Sequence, residues 1–138
     1  MTEETATQKF PHLLPEESEI WERFISVLGE NYTSFSYDVR VGDGAPFGKE
    51  KDEKYREMWT ALTQKRIDVI GYSPEGITIF EIRPRADLPI LGKLLGYRTL
   101  YFRTFHPTEK IFLAVVSDRV DDDDAVVFSA HDIKIFIV

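Results

Sequence analysis

The feature that most constrains this chain is a pair of β-rich runs, Arg66 to Tyr72 and Ile77 to Arg83, joined by Ser73-Pro74-Glu75-Gly76. Proline presets φ in the turn and glycine supplies a positive φ, so the spacing predicts a β-hairpin. In the second run Ile77, Ile79, Glu81 and Arg83 alternate with Thr78, Phe80 and Ile82. The two-residue period of a strand places the first set on one sheet face and the second on the other. Asp68 stands between Ile67 and Val69 on the partner run, so pairing across the hairpin brings its carboxylate toward that of Glu81.

The elements around the hairpin follow from periodicity. Met1 to Leu14 is polar, contains Pro11 and has no clear period, so residues 1–14 read as a flexible tail and 15–138 as a single domain. Pro15 suits a helix start, and Ile20, Trp21, Phe24, Ile25 and Leu28 recur at helical spacing up to Gly29. Phe35, Tyr37, Val39 and Val41 alternate with polar residues, as in a half-buried strand. Gly42 to Lys54 reads as a long exposed loop, followed by a short helix from about Asp52 to Thr63 with Tyr55, Met58, Trp59 and Leu62 on one face. After Pro84, Leu88 to Phe105 has helical spacing. Gly92 and Gly96, four residues apart, are expected to let another backbone approach. Lys110 to Ser117 is a nearly continuous apolar run, the pattern of a strand covered on both faces. Asp121 to Asp124 would start a short helix, and Ile133, Ile135 and Ile137 alternate in a closing strand. The predicted fold class is α/β, a central mixed β-sheet flanked by helices, in the order α-β-β-β-α-β-α-β.

Composition narrows the function. The 138 residues fit one domain, and a hydrophobic content of 43% is enough to bury a core. With no cysteine, disulfides and thiolate metal sites are excluded. The longest apolar runs fall far short of the roughly 20 residues that span a bilayer, and the polar, acidic N-terminus does not read as a signal peptide. A cytoplasmic setting is expected, with no membrane partner. The net charge of -7 opposes general nucleic-acid binding, so DNA contact would have to come from a local patch: Arg66, Arg83, Arg85, Lys93 and Arg98, with Lys65 and Arg103 beside them.

Two carboxylates converging near a strand end make a Mg²⁺ site chemically reasonable. That ion accepts one or two carboxylates and completes its octahedron with water and phosphate oxygens. The plainer reading is that Asp68 and Glu81 are half-buried acids paired with Arg66, Arg83 or Lys93. Other constellations are weaker. His12, His106 and His131 are scattered and suit surface or capping roles. Asp121 to Asp124 lacks the alternation and glycine of a calcium-binding loop. Tyr97, Tyr101, Phe102 and Phe105 read as core on an amphipathic helix rather than as base-stacking groups. No serine stands in a nucleophile-elbow context.

Three segments together, Arg66-Ile67-Asp68-Val69-Ile70, Ile79-Phe80-Glu81-Ile82-Arg83-Pro84 and Leu91-Gly92-Lys93-Leu94-Leu95-Gly96-Tyr97-Arg98-Thr99-Leu100-Tyr101, resemble the PD-(D/E)XK nuclease superfamily, which has the restriction-endonuclease-like fold. In that family an Asp on one strand is followed by Glu-x-Lys on the next and then by a helix written Gly-Gln-x-x-x-Tyr. The thirteen-residue step from Asp68 to Glu81 suits it, and the likeness runs over roughly Pro15 to Val138.

The resemblance implies that Asp68 and Glu81 are metal ligands, with an acid of the first helix such as Glu22 reaching the same site. Arg83 stands where the family has its catalytic lysine, and Lys93 where it has the helix glutamine. Guanidinium stays charged, so Arg83 would stabilise a phosphate or neutralise Glu81 and displace the metal, while Lys93 would supply the missing amine from across the site. Similar Glu-x-Lys-Pro-Arg-Ala segments occur in small bacteriophage-encoded proteins. The favoured expectation is therefore a catalytically degenerate binding module, a structural or adaptor component of a bacteriophage particle that works through other protein subunits in the virion or host cytoplasm and needs no cofactor. The alternative is an active Mg²⁺-dependent deoxyribonuclease.

Overall fold

The computed structural model describes residues 10–48 and 52–138. Residues 1–9, most of the expected tail, and 49–51 of the expected loop lie outside the described residues. Helix α1 (Pro15–Leu28) leads through a 3-10 turn (Gly29–Asn31) into β1 (Ser34–Val41). A second 3-10 turn (Glu53–Tyr55) and α2 (Arg56–Thr63) precede the hairpin of β2 (Lys65–Ser73) and β3 (Gly76–Ile82). The two-residue strand β4 (Arg85–Ala86), α3 (Leu88–Phe105), β5 (Ile111–Ser117), the two-residue strand β6 (Arg119–Val120), α4 (Asp122–Ala130) and β7 (Ile133–Ile137) follow. The main sheet is mixed, in the order β1-β2-β3-β5-β7, and β4 pairs with β6 beside it. β1, β2 and β3 are antiparallel neighbours, and β3, β5 and β7 are parallel.

The hairpin turn forms as expected. Gly76 takes φ +146°, and a Cβ there would lie 2.3 Å from the Lys110 carbonyl oxygen, so both the conformation and the close approach require glycine. α1 covers one sheet face, where Ile20, Trp21 and Phe24 meet Val69, Phe80, Ile82, Ala114 and Val116. α3 covers the other, where Ile90, Leu94, Tyr97 and Tyr101 meet Ile67, Ile70, Ile77, Ile79, Leu113 and Val115. β5 is buried through Leu113 to Ser117, as its continuous apolar run requires.

Several expectations give way to tertiary packing. Phe10 and Leu13 are 3% and 6% exposed within the α1-side core, so residues 10–14 belong to the fold rather than to a free tail. Gly92 and Gly96 face open space, with nothing within 4 Å of an added Cβ, so no backbone packs against them. Of the four aromatic residues on α3, Tyr97 and Tyr101 are core, while Phe102 and Phe105 are 53% and 50% exposed. α2 has no buried residue, and Phe47, Asp52, Tyr55, Met58, Trp59 and Leu62 line an open depression of about 340 Å³. His106 and His131 are the C-cap residues of α3 and α4, and Asp121 is the N-cap of α4, the roles expected of them.

Candidate functional site

The site is built where β2 and β3 part. Their ladder pairs Val69 with Phe80 and Ile70 with Ile79, so Asp68 and Glu81 stand one step beyond the last pair. At that level the pleat of β2 is interrupted, because Ile67 joins the α3-side core and Val69 the α1-side core, although both carry the same parity. β1 is interrupted beside it. Asp38 takes φ +53°, Tyr37 packs against Phe10 and Trp21 on the α1 side, and Val39 and Val41 turn to the α3 side. The released Asp68 side chain turns toward β3, and its Oδ2 accepts the Ile82 N–H at 3.2 Å in place of a ladder carbonyl. On its other side His12 Nε2 donates to the Asp68 backbone oxygen at 3.0 Å.

Glu81 follows Ile77 and Ile79 onto the α3 face and is fully buried. Its Oε2 receives Arg83 Nη2 at 2.7 Å and Lys93 Nζ at 3.2 Å. Its Oε1 is buried with no hydrogen-bond partner among the described residues. Arg83 Nη1 in turn reaches Glu17 Oε2 at 3.1 Å, and the other oxygen of Glu17 accepts the Leu14 N–H at 3.2 Å at the start of α1. Asp68, Glu81 and Glu17 thus face Arg83 and Lys93, three carboxylates against two cations.

Burial raises the proton affinity of Glu81, and the Asp68 carboxylate raises it further. Arg83 and Lys93 oppose the shift, and the balance lifts its pKa from 4.5 to about 7. Arg83 is affected in the opposite sense. Burial disfavours its charge, but Glu81, Asp68 and Glu17 outweigh that and hold it more firmly protonated than usual. The Tyr97 hydroxyl, buried and near Glu81 and Asp68, is pushed up to about 12 and stays neutral.

Of the residues singled out in the sequence, Asp68, Glu81, Arg83 and Lys93 are brought together. Glu81 is also ion-paired to Arg83 and Lys93, as the plainer reading holds. Glu22 is not part of the ion-pair network. The α1 acid that joins it is Glu17, five residues earlier and so about 140° around the helix. Glu17 carries its own sequence signal as an acid at the third position of a helix that begins at Pro15, but nothing local links it to Arg83. The expected basic patch is divided. Arg66 pairs with Asp38 at 3.7 Å, Arg85 pairs with Asp121, and Arg98 lies at the other end of the sheet beside Lys110 and Lys134. Among the described residues no group of three or more His, Asp or Glu side chains forms a ready-made metal cage, and no helix is long and apolar enough to cross a membrane.

No family model and no curated protein matches the chain. Among solved structures, EndoMS in complex with dsDNA aligns with TM-score 0.53 and 12% identity, over 88% of this chain and 44% of that one. The fold is restriction-endonuclease-like. A repair endonuclease from Pyrococcus abyssi aligns with TM-score 0.49 and 10% identity, over 88% of this chain and 46% of that one. The chain therefore spans less than half the length of either endonuclease. The motifs that resemble the PD-(D/E)XK pattern fall where β2 and β3 part.

Proposed function

We propose that this domain is a divalent-cation-dependent centre for DNA phosphodiester hydrolysis, with Asp68 and Glu81 as the protein ligands of the cation. The observation that carries this reading is the unpartnered, fully buried Oε1 of Glu81. An orphaned carboxylate oxygen costs roughly 1–3 kcal/mol or more and is explained when a bound cation completes it. The donor set agrees, because two hard carboxylates suit Mg²⁺ or Mn²⁺, and once Glu81 is ionised, above about pH 7, three carboxylates outnumber two cations by one. When bound, such a cation supplies polarisation of a phosphate and a water of lowered pKa. Lys93, with its side chain 44% exposed, would orient a phosphate or the attacking water. Arg83 cannot act as a base; it holds phosphate charge while Glu17 braces it. DNA, the ligand in the EndoMS complex, would meet these two cations first.

A second reading is favoured by one contact. Arg83 Nη2 lies 2.7 Å from Glu81 Oε2, so the guanidinium itself takes the place of a cation. The domain would then act by binding alone, as expected for an adaptor in a bacteriophage particle. Calorimetry with Mn²⁺, beside plasmid cleavage in Mg²⁺ or Mn²⁺, separates the two. Cation binding and cleavage that are both lost in the Asp68→Ala, Glu81→Ala variant support the nuclease reading. Absence of both in the unaltered protein, with cation binding gained in Arg83→Lys, overturns it in favour of the second.

A further inference from the structure

The two edges of the main sheet are treated differently. β1 is kinked by the positive φ of Asp38 and bordered by α2, whose Ala61 carbonyl accepts from Arg40 Nε at 3.2 Å. β7 ends the sheet with none of the devices that blunt an edge: no proline, no positive φ within the strand, and one charge, Lys134, in Ile133-Lys134-Ile135-Phe136-Ile137. The Val138 N–H donates to Ser117 on the β5 side at 3.0 Å. By the alternation of a strand, Ile133, Ile135 and Ile137 therefore direct their N–H and C=O groups outward. A row of outward donors and acceptors is complementary to an extended backbone and to little else.

Two depressions flank this edge and share Ile135 and Phe136. One of about 470 Å³ is bounded by Arg23, Val27 and Leu28 of α1. The other, of about 850 Å³, is bounded by Arg98, Lys110, Phe112, Lys134 and a single acid, Asp132. A strand added to β7 would drop alternate side chains to the two sides. Charge selects its composition. Arg98, Lys110 and Lys134 make no ion pair among the described residues, in a chain of net charge -7. Lys110 and Lys134 instead lie 5.0 and 5.4 Å from the centroid of the Phe112 ring. Pairing β7 with a second copy would bring these cations toward their own duplicates, whereas an acidic strand would neutralise them.

We infer that β7 is a docking edge for an extended acidic peptide segment of a protein partner, bound by strand addition with its carboxylates on Lys110, Lys134 and Arg98. The Lys110 end of this surface lies about 20 Å along the sheet from Arg83, while Ile137 stands level with Arg83 two strands, about 10 Å, across; none of its residues belongs to the Asp68–Glu81 centre.

Fluorescence anisotropy on the full chain tests the inference with a short labelled peptide of alternating Glu and Val. The expected result is saturable binding, weakened at least about tenfold by Ile137→Pro, which removes one outward donor at a position where edge strands tolerate proline. A similar loss is expected from the double change Lys110→Glu, Lys134→Glu. N-methylation of the peptide amides that face β7 should abolish binding, a readout that does not depend on any variant folding. Three outcomes would overturn the inference: no binding of the acidic peptide, equal binding of its Lys and Val counterpart, or undiminished binding of the N-methylated peptide. Labelled duplex DNA that binds and loses affinity in the double variant, while the acidic peptide does not bind, would assign the cations to phosphate instead.

Discussion

On the face covered by α1, the sheet is sealed by rings. Trp21 stacks on Phe24 at 4.9 Å, both meet Phe80 edge-on, and Tyr32, Phe35 and Phe136 complete the contacts. Gly71 makes room for them, since a Cβ there would lie 2.9 Å from both Phe80 and Tyr32. On the face covered by α3 the filling is mostly isoleucine, leucine and valine, and its last buried member on β3 is a carboxylate, Glu81. The difference assigns the faces separate tasks. Aromatic pairs have preferred geometries and fix how β2 and β3 lie, whereas the aliphatic face can end in a charged cluster because α3 brings Lys93 over it. The rigid face holds the strands whose divergence the site uses.

Four substitutions would break or sharpen that contrast. The largest effect is expected on the ring-sealed face, where Phe80→Ala should cost about 3–5 kcal/mol in chemical denaturation. Ile79→Val, one residue away on the aliphatic face, should cost only about 0.5–1.5 kcal/mol. Similar losses for the two would erase the distinction between the faces.

The charged end of the aliphatic face should show itself through pH. Glu81 has a folded pKa of about 7 against an ordinary 4.5, so between those values the native state binds a proton that the unfolded chain releases. Its contribution to stability is whole below pH 4.5 and is lost as pH rises through about 7, a decline of about 3 kcal/mol. Glu81→Gln should remove that slope. Urea denaturation of both proteins at several pH values between 5 and 8 measures it, and parallel pH profiles would mean that Glu81 is not held in this way.

The smallest effect is expected away from both faces. Leu62 on α2 is 65% exposed, so Leu62→Ser should change stability by no more than about 0.5 kcal/mol in the same assay. A loss of several times that size would show that α2 is packed against something in solution.

By itself the sequence determined what depends on near neighbours. The hairpin follows from Pro74 and Gly76, α1 and β5 from apolar spacing, the shared face of Ile79 and Glu81 from strand alternation, and the capping histidines from their places beside helix ends. Tertiary structure decided what depends on distant partners. The interrupted pleats at Asp38 and Asp68, the choice of Glu17 rather than Glu22, the docking of Phe10 and Leu13, and the open space beside Gly92 and Gly96 belong to this group. The physical reason is the range of the forces involved. Backbone period and turn preference act over a few residues and are written locally, whereas the orientation of a carboxylate is set by whichever N–H or cation the fold carries to it, 66 residues away for Arg83 and Glu17.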